Sequence, residues 1–197
     1  MSRNLVLVTG LVVIVMLLLE LLAVAEVLRY EREAVTGGEL WRLWTAHLVH
    51  LGLGHTLLNA GGVVGIMLVV GDRLRVWEWL LGMVVAAPAI SIALWLFKPE
   101  LTWYVGLSGM LHGLVVAGAM RGLMAHHRLL SIELGILVVV AIKIGWEHFA
   151  GALPGSTEMS GGAVIVDAHL FGAVTGIVWG AIPGLKSCFP ARGSSGR

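Results

Sequence analysis

Six stretches of this 197-residue chain, at about 5–28, 51–70, 76–97, 107–124, 130–150 and 163–184, run almost free of charge for the length a helix needs to cross a bilayer. A hydrocarbon core about 30 Å thick takes roughly twenty residues at 1.5 Å each. In lipid no water bonds a stray N–H or C=O, so such a stretch is read as a helix whose backbone bonds close on themselves. Composition agrees: the chain is 58% hydrophobic and only 13% charged, where a soluble domain carries roughly a quarter of its residues charged. The expectation is an all-α membrane protein: one domain, 1–197, crossing the membrane six times.

The first stretch follows Arg3 and is too long for the apolar region of a signal peptide. It shows no small-residue cleavage site and is expected to be a retained helix. Between the first two stretches, residues 29–50 carry Arg29, Glu31, Arg32, Glu33, Glu39 and Arg42 together with Trp41 and Trp44. Those tryptophans favour the headgroup level, and the segment is expected to lie in the interface. With the N-terminus inside, Arg3, Arg73, Arg75, Arg121, Arg128, Lys186, Arg192 and Arg197 share one side. Arg29, Arg32, Arg42 and Lys98 share the other. That asymmetry puts both termini in the cytoplasm. Residues 185–197 are expected to be a flexible tail. Cys188 is the single cysteine, which excludes an internal disulfide, and a net charge of +1 gives no reason to expect nucleic acid as a partner.

Polar side chains are expensive at bilayer depth, about 2.5–3.5 kcal/mol on insertion scales, so those in or beside the apolar runs need a reason. On the outer half these are His47, His50, His55, Asn59, Ser108, His112, His148 and His169. Glu20, Glu26, Asp72, Lys143, Glu147 and Asp167 complete the set. From Gly106 to Arg121 a helix covers only about 22 Å, so Ser108 is expected several ångströms below the outer surface. The stretch "KPELTWYVG" must follow it inward, which lipid tolerates only where protein or a wet cavity shields the backbone. His169 lies about 9 Å into the sixth stretch, a similar depth. Small residues four apart suggest how the two meet. Gly109, Gly113 and Ala117 mark one face of the fourth stretch, and Ala168, Gly172, Gly176 and Gly180 one face of the sixth, so close packing of those helices is expected.

A serine at a helix N-terminus also has free N–H groups and the positive dipole end beside it. His55 and Asn59, four apart on the second stretch, add donors. A hydroxyl, an imidazole on a packed neighbour and convergent donors are the parts of an acyl-transfer site.

"WRLWTAHLVHLGLGHTLLN" (41–59), "GLSG" (106–109) and "AHLFG" (168–172) together resemble the rhomboid intramembrane serine proteases, in the family's order and on its second, fourth and sixth helices. The compact length and "GLSGMLHGL" are similar to the rhombosortase branch. The resemblance implies a six-helix rhomboid-like bundle with Ser108 as nucleophile and His169 as general base, a dyad that requires no carboxylate. It implies an oxyanion hole of His55, Asn59 and the Ser108 N–H. Arg42 matches a residue that supports the interfacial loop, and Gly172 the glycine that brings the sixth helix close to the serine. His112 stands where many rhomboids have a tyrosine stacked on the base. Two roles are open to it, orienting His169 or competing with it.

The substrates implied are transmembrane proteins with a C-terminal anchor, cleaved near the outer face of a bacterial-type inner membrane. For the rhombosortase branch they carry a Gly-Gly-type motif, and the acyl group is handed to an amine acceptor as well as to water. Lys143, Trp146 and Glu147 are placed at a substrate entrance between the second and fifth helices, against the plainer reading of Glu147 and His148 as an interfacial charge pair. No cofactor or metal is expected. Competing readings are a rhomboid protease of other substrates, a silent relative that only binds helices, and a membrane metal or haem binder built on the histidines. The last has no acidic or cysteine co-ligand at a convincing spacing.

Overall fold

Backbone groups with no water to bond turn the apolar runs into helix, and the long helices of the computed structural model follow them. It describes residues 2–126 and 131–182. The elements are α1 (Arg3–Leu21), α2 (Ala25–Leu28), β1 (Tyr30–Glu31), α3 (Arg32–Thr36), α4 (Arg42–Thr45), α5 (Leu53–Val70), α6 (Val76–Phe97), β2 (Trp103–Tyr104), α7 (Ser108–His126), α8 (Ile132–Ala150), α9 (Ser156–Ser160) and α10 (Val166–Ala181). Among the described residues, Arg3–Leu21, Leu53–Arg73 and Val76–Phe97 are long and apolar enough to cross a membrane by length and composition, and Val166–Ala181 is a shorter apolar helix. The expected tail 185–197, with Cys188, lies outside the described residues, as do His127 and Arg128.

The first helix differs from expectation. It stops at Leu21 rather than near Leu28, because Ala23 takes a left-handed φ of 51° and the chain restarts as the one-turn α2. Neither glycine nor proline marks this break. The last turn of α1 is instead tied sideways, Thr56 Oγ1 of α5 donating to Glu20 at 2.9 Å.

Residues 29–50 fold as an interlocked layer rather than a plain interfacial helix. β1 pairs antiparallel with β2, Tyr30 opposite Tyr104, and both tyrosines are buried. Of the stretch before Ser108, Tyr104, Val105 and Gly106 are buried by protein, whereas Glu100, Thr102 and Trp103 are exposed and line a cavity. Arg42, buried, donates to Glu39 at 2.6 Å and to the carbonyl of Arg29 at 2.8 Å. The layer docks on α6 at Pro88. A proline cannot bond the carbonyl four residues earlier, and that carbonyl, Val84, receives the Trp44 indole N–H at 2.9 Å. One turn on, His47 Nε2 bonds the Ala87 carbonyl at 2.9 Å and Ser91 Oγ at 3.0 Å, and Ser91 donates to the Leu43 carbonyl.

At the end of the bundle that holds Arg73 and Arg121, ion pairs close the helix junctions: Arg73 with Glu133 at 2.8 Å and Arg121 with Glu78 at 3.1 Å. At the other end Lys98 joins Glu100 and Asp167, at 3.0 and 3.2 Å, linking the end of α6 to the start of α10.

The tightest seam runs between α7 and α10. A Cβ on Gly172 or Gly176 would overlap the carbonyl oxygens of Gly109 or Gly113, and one on Gly180 would lie 2.7 Å from that of Ala117. Two helices without side chains between them touch main chain to main chain. By contrast, α8 is flanked by open apolar clefts. One is lined by Ile66 and Val69 of α5 with Ile136 and Val139, the other by Leu170 and Val174 of α10 with Leu137 and Ile144.

Candidate active site

Gly106 aims the chain into the site. Its φ of 117° is open to glycine and strained for other residues, its N–H donates to the Ala46 carbonyl at 2.9 Å, and its own carbonyl accepts from the Tyr104 hydroxyl at 2.7 Å. The loop is therefore pinned on both sides two residues before α7 begins. Ser108 is the first residue of that helix, where backbone N–H groups have no intrahelical partner.

The α7–α10 seam then brings His169 to Ser108. Gly109 faces the Ala168 carbonyl and Gly172 the Gly109 carbonyl, so the residues beside the serine and the histidine are in main-chain contact. His169 Nε2 lies 3.0 Å from Ser108 Oγ, and His169 is 3% exposed. The other ring nitrogen, Nδ1, is 2.9 Å from Oε2 of Glu147. A carboxylate only accepts, so Nδ1 carries the proton and Nε2 offers a lone pair to the serine hydroxyl.

His112 stacks on His169 with ring centroids 4.2 Å apart, and its Nδ1 bonds the Ser108 carbonyl at 2.7 Å. The carbonyl can only accept, so His112 spends its Nδ1 proton on its own helix, and the imidazole bonded to the hydroxyl is that of His169.

Donors converge from α5. His55 Nδ1 accepts from the Leu51 N–H at 3.4 Å, which leaves the proton on Nε2. That nitrogen lies beside Gly106, close enough that a Cβ there would come within 3.0 Å of it. Asn59, buried, donates one amide N–H to the His55 carbonyl at 3.1 Å and keeps a second. His55, Asn59, Ser108, His112 and His169 line one cavity of about 660 Å³, with Glu100, Ser156 and Ser160 also in its wall.

The other histidines stand apart from this chemistry. His47 is held on α6, and burial pushes it down to about 4. Burial, then the neighbouring His55, pushes His50 down to about 3. Its ring packs edge-on against His55 at 4.9 Å, and neither of its nitrogens has a partner among the described residues. His47, His50 and His55 thus do not present a shared set of ligand atoms. His112, Glu147 and His169 do bring ligand atoms within 4.8 Å of one another. Lys143 occupies Glu147 Oε1 at 2.5 Å, so a cation is already there, and the donor set fits a hydrogen-bonded network better than a metal centre.

Sequence reasoning put Trp146 and Glu147 together at an entrance. The structure separates them. Trp146 is half-exposed and does not line the cavity, whereas Glu147 is 4% exposed and faces inward to His169. Nor does Glu147 pair with His148, which packs edge-on against Phe149. The missed signal was two opposite charges four residues apart within an apolar helix: an intramembrane ionisable pair calls for a third partner.

Comparison with curated proteins finds no match to the chain. Residues 37–185, however, match the Rhomboid domain family, a span that contains every residue lining the cavity and both helices of the seam. This is an integral membrane protein, and it belongs to the rhomboid family of intramembrane proteases.

Proposed function

We propose that the protein is a serine endopeptidase that cuts transmembrane-anchored proteins near the outer face of the membrane, with Ser108 as nucleophile and His169 as general base. The observation that carries this reading is the 3.0 Å contact between Ser108 Oγ and His169 Nε2 at the mouth of a helix N-terminus. In the first step Oγ bonds the scissile carbonyl carbon, the hydroxyl proton passes to Nε2, and the carbonyl oxygen becomes an oxyanion. His55, Asn59 and the Ser108 N–H donate to that oxygen, an interaction absent from the ground state and therefore one that speeds the reaction. The C–N bond then breaks, and the Nε2 proton leaves with the amine. Water, activated by the same imidazole, releases the acyl group as a carboxylate; an amine acceptor would release it as a new amide.

In this reading all the long helices, α1, α5, α6, α7, α8 and α10, span a bacterial-type inner membrane with both termini cytoplasmic. His112 and Gly172 support the base, and Arg42 the interfacial layer. The resemblance of "GLSGMLHGL" to the rhombosortase branch supports substrates whose C-terminal anchor begins with a Gly-Gly-type signal. Lys143 is not placed at an entrance in this reading, since its ammonium is engaged within the cavity wall.

Labelling by a fluorophosphonate in detergent tests the chemistry. The wild-type protein is expected to be labelled, with Ser108→Ala and His169→Ala silent and Asn59→Ala slower by about 10²–10³. Labelling of Ser108→Ala at the wild-type rate would overturn the reading. A membrane reporter with and without a Gly-Gly-type anchor then tests substrate choice, cleavage of the first alone being expected.

A further inference from the structure

We propose that Glu147 is a positioning residue for His169, making the site a serine–histidine–glutamate triad braced by Lys143 rather than a serine–histidine pair. This rests on the reading of Ser108 and His169 just given. Glu147 sits on α8, away from the seam that fixes the other two, and it is buried to the same degree as the histidine it meets. Both of its oxygens are used: Oε1 takes the Lys143 ammonium at 2.5 Å and Oε2 takes His169 Nδ1 at 2.9 Å. A lone carboxylate at this depth would be costly, and the ammonium keeps it ionised and able to accept. A carboxylate on Nδ1 holds the imidazole in the tautomer whose Nε2 can take the serine proton, and it stabilises the imidazolium once that proton arrives.

Lys143 also lies 3.3 Å from His169 Nδ1. An ammonium has only protons to give, so it cannot bond an Nδ1 that is itself protonated. While Glu147 is present, Lys143 is satisfied by the carboxylate and the two donors share it. Without the carboxylate, Lys143 is free to donate to Nδ1, which moves the ring proton to Nε2. That is the tautomer that cannot deprotonate Ser108. Glu147 therefore does two things: it accepts from His169, and it keeps the neighbouring lysine from inverting the ring. A mere i,i+4 charge pair that neutralises α8 in lipid predicts neither.

The two roles separate in one series of variants, read by the saturation kinetics of fluorophosphonate labelling. Glu147→Gln keeps the shape and loses the acceptor charge. Its maximal labelling rate should fall on the order of 10³–10⁴-fold with half-saturation unchanged, and Glu147→Asp should recover part of the loss. The decisive variant is the double one. Lys143→Met added to Glu147→Gln should label faster than Glu147→Gln alone, because the competing donor is gone.

A Glu147→Gln protein that labels like wild type overturns the triad, as does a double variant no faster than the single. If Ser108→Ala is silent in either case, the protease reading stands and only the triad falls; if Ser108→Ala labels, the protease reading itself falls. Should Glu147→Gln not fold, ¹⁵N NMR of the wild-type histidines in detergent decides. Protonated Nδ1 and bare Nε2 on His169 are expected, and the reverse would overturn the proposal.

Discussion

Replacing Gly109 by alanine tests the idea that the seam, more than any side chain, sets the distance between hydroxyl and imidazole. The new Cβ would lie 2.8 Å from the Ala168 carbonyl oxygen and 3.2 Å from both its carbonyl carbon and its Cβ. Ordinary contact begins at 3.4 Å, so α7 and α10 must part by about 0.6 Å at this point. No flexible side chain can yield, because the obstruction is main chain. Gly109 and Ala168 are the immediate neighbours of Ser108 and His169, so the parting falls almost wholly on the contact between those two side chains. It would stretch the 3.0 Å contact to about 3.6 Å, beyond hydrogen-bonding range.

Overpacking of this kind costs about 1–3 kcal/mol, which a folded membrane protein can survive. Loss of general-base contact removes about 10²–10⁴ in rate. Gly109→Ala should therefore stay folded by thermal melting in detergent yet label with fluorophosphonate at least a hundredfold more slowly. Gly65→Ala, where a Cβ meets nothing within 4 Å, serves as the control and should label normally. A Gly109→Ala protein that labels within about threefold of wild type would refute the reasoning, because a 0.6 Å displacement would then be absorbed elsewhere.

Two further outcomes are expected. Gly106→Ala meets both a φ of 117° and the His55 ring at 2.8 Å, so it should displace the oxyanion donor of the proposed mechanism and slow labelling by about 10²-fold or more, with Leu107→Ala as a comparison for mere loss of packing. The second concerns acid. His47 is held neutral by burial at about 4, below its ordinary 6.5, so its contribution to stability is whole above pH 6.5 and is lost as pH falls toward 4. That loss amounts to about 1.4 kcal/mol per pH unit, or roughly 3 kcal/mol over the window. His50, pushed down to about 3, adds a parallel loss. Equilibrium unfolding between pH 7 and 4 should show this slope, and His47→Gln, which keeps a donor for Ala87 and Ser91, should lose one proton's worth of it. An unchanged slope would mean that His47 is not buried neutral.

Much of this arrangement was legible because lipid makes it so. Apolar length betrays helices, and small residues four apart on two runs betray a seam, as Gly113 against Gly172 illustrates. Polar residues in such runs stand out, which is how Ser108, His169, His55 and Asn59 came forward. What stayed hidden depends on rotation and on distance along the chain. The break after Leu21 has no glycine or proline to announce it. β1 and β2 are two residues each and far apart in sequence, too short for alternation to register. Trp44 bonding Val84 requires knowing that Pro88 frees that carbonyl and that the interfacial layer lies against it. Glu147 was visible as a charge, but which way it points is set by the turn of α8 about its axis, and adjacent Trp146 points elsewhere.

The imidazole arrives on α10, the last helix described here, and most other parts of the site precede it in the chain. In the proposed mechanism, therefore, the hydroxyl and its donors come earlier in the chain than the imidazole bonded to that hydroxyl. In the same mechanism that alcohol gains its base only when α10 packs against α7. On that mechanism, completion of assembly and onset of reactivity are a single event, and a chain halted before that point is expected to be inert.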